Sequence, residues 1–187
     1  ANTDDVIGEF AFSGQPDVDD AVKAAREASK AWRLVPAPKR GDILRKVGDI
    51  LTRRKKEIAR IMTREMGKPC FETEGDVQEA IDTAYYSGSE TRRLFGHTVP
   101  SEMPNKMNLS FRLPIGVCGV ITAFNFPLAV PSWKILPAIA AGTTVVYKPS
   151  KDTPHAGVVF AEVMEEAGLP KGVFNVLLGK GNMGNMI

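Results

Sequence analysis

Through the first half of the chain, apolar residues recur at every third or fourth position. Val18, Ala21, Val22, Ala25, Ala28 and Trp32 share one helical face behind acidic first-turn residues, which predicts a helix ending near Pro36. After Pro38 a second helix carries Ile43, Leu44, Val47, Ile50 and Leu51 on one side, continued by Ile58, Ile61 and Met62 and stopped at Met66-Gly67-Lys68-Pro69. A third is expected over 70–94, with Val77, Ala80, Ile81, Ala84 and Tyr85 inward and Gly96 beyond its end. Ahead of all three, V-I-G-E-F-A-F at 6–12 reads as a short strand.

The period then changes. Residues 99–108 carry two prolines and no regular spacing, so they read as a loop or linker. Leu109, Phe111 and Leu113 alternate with Ser110 and Arg112, the pattern of a half-exposed strand. Residues 117–122 form a nearly unbroken apolar run, which suggests a central strand covered on both faces. A helix over 128–141 capped by Gly142, a β-branched strand over 143–147, a helix over 155–167, a Gly168-Leu-Pro turn and a strand over 173–177 complete the series. Strand, helix, strand, helix, strand predicts an α/β chain with a parallel sheet and right-handed crossovers.

Composition adds exclusions. At 187 residues, 43% apolar and 25% charged, the chain matches a globular protein with one core, or one core and part of another. Its net charge of +2 gives no argument for a nucleic-acid partner, and the run Arg53-Arg54-Lys55-Lys56 reads as a solvated helix face. No stretch has the length of a membrane span, and residues 1–10 lack a signal-peptide pattern. Two cysteines, Cys70 and Cys118, make no disulfide framework and share no metal spacing with His97 or His155. No metal site is expected and a reducing cytoplasmic setting is the default. Cys118, inside the apolar strand, reads as a buried and inert thiol.

In a sheet of this grammar, ligands collect at the carboxyl ends of strands. Thr122, Ala123, Phe124 and Asn125 follow the first core strand, and Lys148, Pro149, Ser150 and Lys151 follow the second. Asn125 has two readings: a helix cap for the segment starting near Leu128, or an amide donor to an oxygen that gains charge during reaction. Lys148 is either a solvated strand-end lysine or a flexible cation for ribose hydroxyls or phosphate, and Ser150 either braces its own turn or meets a ligand oxygen. Gly179-Lys-Gly181-Asn-Met-Gly184 satisfies G-x-G-x-x-G, but after the third strand of the series rather than the first, so plain turn chemistry competes with phosphate contact.

The stretch P-I-G-V-C-G-V-I-T-A-F-N-F-P-L over 114–128, with V-V-Y-K-P-S-K over 145–151, resembles the aldehyde dehydrogenase superfamily. The entry helix D-V-D-D-A-V-K-A-A-R-E-A, the segment A-P-K-R-G-D-I-L-R-K-V-G-D-I-L and the R-E-M-G-K-P turn are similar to that family's amino-terminal half, in order. Phe124 stands where the family usually has Trp. The resemblance implies a Rossmann-like parallel sheet with flanking helices, preceded by an all-helical amino-terminal segment and incomplete relative to the family. It divides the chain into a helical part of the cofactor domain (1–98), a linker with an oligomerisation-type strand (99–113) and a truncated dinucleotide-binding core (114–187).

It further implies Asn125 as the oxyanion-hole donor, with Ile121, Thr122, Ala123, Phe124, Lys148, Ser150, Lys151, Gly181 and Gly184 toward NAD or NADP. NAD-preferring members often have Glu where this chain has Lys151, which either faces a 2′-phosphate without repelling it or points to solvent. The activity implied is oxidation of an aldehyde to a carboxylic acid through a cysteine thiohemiacetal, in a homodimer or homotetramer. The family's nucleophilic Cys and general-base Glu lie downstream of these motifs, so the 187 residues alone are expected to be inactive. Besides part of a full enzyme, two readings stand: a dinucleotide-binding module without turnover, and a structural partner that pairs through residues 109–113. Phe126, Leu128 and Trp133 suggest the wall of an apolar substrate tunnel.

Overall fold

The computed structural model describes residues 4–187. Among them are five α-helices: α1 (Gln15–Trp32), α2 (Ala37–Met66), α3 (Cys70–Glu90), α4 (Ala129–Ala141) and α5 (Pro154–Glu166). The strands are β1 (Thr98–Pro100), β2 (Met107–Leu109), β3 (Val117–Ile121), β4 (Thr144–Lys148) and β5 (Phe174–Val176). The expected helices form with small end corrections, α3 stopping at Glu90 rather than near Leu94.

β3, β4 and β5 make a parallel sheet in that order, with Ile121 opposite Lys148 and Tyr147 opposite Val176. β4 is therefore its centre and is buried along its whole length. Alternate β4 side chains serve two cores, as the two-residue period of a strand requires. Val145 and Tyr147 join the large cluster built from α2, α3, α4 and α5, whereas Val146 packs with Val18 and Ala25 of α1, Leu177 and Met183. On the α1 face, the Thr144 hydroxyl also donates to the Ala25 carbonyl at 3.0 Å.

Several expectations need correction. The run at 117–122 forms the expected strand, but β3 lies at the edge of the described sheet and only Val120 of its five residues is buried. Among the described residues its faces are only partly covered, and Cys118 is half-buried rather than enclosed. Residues 6–12 form no strand; Val6 and Phe12 are exposed, and a backbone bond from Ser13 N–H to Leu178 C=O anchors the segment just beyond them. Conversely, part of the expected loop at 99–108 is an antiparallel hairpin, β1 pairing with β2 in the register Thr98 to Leu109. The alternating Leu109, Phe111 and Leu113 all point to solvent, and the strand stops at Leu109.

α4 is gripped at both ends by the first helices. The Asp76 carboxylate accepts the Ala129 N–H at 2.7 Å at its amino end. At its carboxyl end the buried Arg40 guanidinium donates from Nε to the Ala140 carbonyl at 2.9 Å and also binds the Val35 carbonyl. Anion at the amino end and cation at the carboxyl end both complement the helix dipole. Gly142 closes α4 at φ 94°, and a Cβ there would stand 3.2 Å from Arg40 Cζ, so this glycine answers both conformation and space. Trp32 adds a bond from its indole N–H to the Ile139 carbonyl at 3.2 Å. α5 is treated alike: Glu65 accepts the His155 and Ala156 N–H groups at 2.6 and 3.1 Å.

Candidate functional site

The carboxyl ends of β3 and β4 lie side by side. Ile121 is half exposed there, and after it Thr122 is buried, its hydroxyl 3.2 Å from the Tyr147 hydroxyl and its N–H bonded to the Lys148 carbonyl. Desolvation of Tyr147 holds its phenol far above the ordinary range, so it is a neutral hydrogen-bonding partner at any ordinary pH. Ala123, Phe124, Asn125 and Phe126 then run through exposed, irregular backbone before Pro127 and α4.

Asn125 does not cap that helix. The cap position is Leu128, without a side-chain cap, and the Ala129 N–H is taken by Asp76 from α3. The Asn125 amide consequently stands exposed and, among the described residues, without a hydrogen-bond partner. Its backbone carbonyl accepts from Lys68 Nζ at 3.1 Å. That ammonium also lies 3.6 Å above the Phe126 ring and 4.0 Å from Asp76 Oδ2. Burial first pushes the Asp76 carboxyl up to about 6, against the opposing pull of the helix N–H groups and Lys68. Burial also raises Glu65 above the ordinary range.

Lys148 is not a solvated strand-end lysine. Only 4% exposed, it donates to the Pro149 carbonyl at 2.8 Å, and desolvation lowers its pKa. One bond leaves the ammonium with donors to spare. The Ser150 hydroxyl accepts the Asp152 N–H at 3.2 Å, a local turn brace. Exposed Lys151 contacts Asp152 at 2.5 Å, so much of its charge is answered within the turn.

Gly181 and Gly184 lie in a short 3₁₀ turn, Gly181–Asn185, whose Met183 plugs the α1 core. A Cβ on Gly184 would meet Ile121 Cδ1 at 3.3 Å, which brings the glycine turn against the end of β3, and a Cβ on Gly181 would stand in open space. Of the expected site residues, Ile121 lies against Gly184 and pairs in register with Lys148, whose turn carries Ser150 and Lys151. Of the three tunnel-wall residues, Phe126 and Trp133 are exposed, but Leu128 is 1% exposed and belongs to the core. Sequence reasoning missed Lys68, Asp76 and Glu65, because nothing in the local pattern of α2, α3 or the turn between them marks which polar residues turn inward. Asp76 alone left a trace: an acid next to Val77 on the apolar face of α3.

The aldehyde dehydrogenase family profile matches residues 1–187. Among curated relatives, the α-ketoglutarate semialdehyde dehydrogenase of Haloferax volcanii is 42% identical over 97% of this chain, which spans 38% of the relative's length. A solved NADP-dependent enzyme of E. coli superposes with a TM-score of 0.94 at 37% identity, over 96% of this chain and 38% of that one. PnpE in complex with nicotinamide adenine dinucleotide superposes with a TM-score of 0.91 at 38% identity, over 94% of this chain and 36% of that one.

Proposed function

The chain belongs to the aldehyde dehydrogenase family, and from that premise we propose that it forms the Asn-bearing turn and one wall of the cofactor cleft of an NAD(P)-dependent aldehyde dehydrogenase. The observation that carries the reading is Asn125: an unpartnered, exposed amide on a turn fixed from behind, while Asp76 does the capping that would otherwise occupy it. The reaction is oxidation of an aldehyde to a carboxylic acid, with the nucleophilic Cys and general-base Glu supplied from outside these residues. A semialdehyde stands first among substrates, since the Haloferax relative is named for one.

The donor set suits a dinucleotide. Lys148 presents spare N–H groups for ribose hydroxyls, Ser150 a hydroxyl, and half-exposed Ile121 and Phe124 an apolar surface beside Ala123. Thr122 holds the turn to Tyr147, while Gly181 has open space around it and Gly184 lets the glycine turn approach the end of β3. When bound, the cofactor accepts hydride from the substrate carbon. Asn125 donates its amide N–H to the substrate oxygen as that oxygen becomes anionic, a contribution of about 3 kcal/mol to the transition state for one fixed donor. Pairing of Lys151 with Asp152 makes the chain accept both cofactors rather than select NADP strongly. The working assembly is a cytoplasmic homo-oligomer in which the exposed segment at 109–113 pairs.

The first test is the intact mass of the purified protein, followed by titration with NAD and NADP while Trp133 fluorescence is read. Trp133 is 47% exposed on α4 whereas Trp32 is 1% exposed, so a quench on cofactor addition comes from Trp133. A mass well above 20.3 kDa with aldehyde-dependent NAD(P)H formation supports the enzyme. A mass of 20.3 kDa with a quench but no turnover identifies a dinucleotide-binding module, and no quench at millimolar cofactor overturns both.

A further inference from the structure

The turn carrying Asn125 makes few backbone bonds of its own. Thr122 is bonded to β4, and the helical bonds resume only where Val130 N–H reaches the Phe126 carbonyl. Between them the Asn125 carbonyl has one partner among the described residues, Lys68 Nζ. We propose that Lys68, anchored by Asp76, is the positioning residue that sets the Asn125 turn from the junction of α2 and α3. This rests on the reading of Asn125 as the oxyanion donor.

An ammonium has three N–H groups, and here three electron-rich neighbours surround it. They are the Asn125 carbonyl at 3.1 Å, the face of Phe126 at 3.6 Å and Asp76 Oδ2 at 4.0 Å. Two of the three belong to the turn. Asp76 is 1% exposed, with Oδ1 bound to the Ala129 N–H and Oδ2 making no hydrogen bond. Its free oxygen and its charge therefore look toward the lysine. The side chain of Lys68 is itself only 11% exposed, so it is held in place rather than sampling solvent. Gly67, at φ 77° with open space around it, lets the chain reverse between α2 and α3 and point the next residue at the turn. Residues 125, 126 and 129 are thus tied to one corner, and the side chain left free among them is the Asn125 amide. Rotation of that peptide plane would re-aim the amide, which is the route by which Lys68 acts.

The experiment is hydrogen–deuterium exchange over residues 123–130, with steady-state kinetics on the same protein. Lys68→Met keeps the apolar stem and removes every donor. The expected result is about tenfold faster exchange confined to that segment and about tenfold lower kcat with cofactor KM unchanged, Lys68→Arg restoring most of both. In an Asn125→Ala background Lys68→Met should then lower kcat no further. Unchanged exchange over 123–130, or faster exchange spread evenly over α2 and α3, overturns the proposal. If Asn125→Ala leaves kcat intact, the oxyanion reading fails, and the exchange result still decides whether Lys68 holds the turn. Should Lys68→Met not fold, Asp76→Asn retains an acceptor for Ala129 and removes the charge facing Lys68. About threefold faster exchange in the segment is then expected, and none overturns the proposal.

Discussion

The turns after β3 and β4 lie next to each other, Ile121 opposite Lys148, yet opposite means hold them. The β4 turn is braced from within: Lys148 to Pro149, Ser150 to Asp152, Lys151 to Asp152. The β3 turn is braced from far along the chain, by Lys68 at Asn125 and Asp76 at Ala129. A locally closed turn keeps its shape with little outside help, and in the β4 turn Lys148 still keeps donors to spare. A turn held from behind leaves its own side chain free to act on a ligand. On the proposed function, the turn held from behind carries the reaction chemistry and the locally braced turn the cofactor contacts.

The largest effect that would break this division is on Asn125. Asn125→Ala should lower kcat by about 10²- to 10³-fold, measured under saturating aldehyde and cofactor, with cofactor KM nearly unchanged. An equal rise in cofactor KM would put Asn125 in binding instead. Lys148→Met should do the converse, weakening NAD(P) by about tenfold in a fluorescence titration and leaving kcat within a factor of a few.

Next comes pH. The Asp76 carboxyl titrates at about 6 in the fold against 3.8 unfolded. A raised carboxyl favours the folded state fully below the unfolded value, and that contribution is lost as pH rises through the folded one. Chemical denaturation of wild type and Asp76→Asn should therefore show wild type gaining stability relative to the variant, by about 2–3 kcal/mol, as pH falls from about 7 to about 4. No relative gain would mean that the carboxylate is already fully compensated by Lys68. The smallest effect belongs to Lys151, exposed and paired within its own turn. Lys151→Glu should move the NADP to NAD ratio of kcat/KM toward NAD by about fivefold. A change near a hundredfold would show that Lys151 meets the 2′-phosphate directly.

Much of the architecture was legible because burial writes a period. α1, α2, α4, α5 and the strands β3 to β5 fall where apolar spacing put them, and Gly67 and Gly142 end their helices at positive φ. Spacing failed where a segment finds its partner late or finds none. Val6 and Phe12 are as apolar as strand residues but are exposed here, and Phe111 and Leu113 alternate correctly yet, among the described residues, join no strand. At the site, the positions of Asn125 and Lys148 at strand ends were readable, but their surroundings were not.

Local periodicity and turn chemistry determined which residues become helix, strand and strand-end turn, since each depends on neighbours a few positions away. The grip of Lys68 and Asp76 on the Asn125 turn, of Glu65 on α5 and of Arg40 on α4 joins residues roughly fifty to a hundred positions apart. Such bonds form only after the helices pack, because a buried charge must find whichever partner the packing brings near, and no local pattern encodes that meeting.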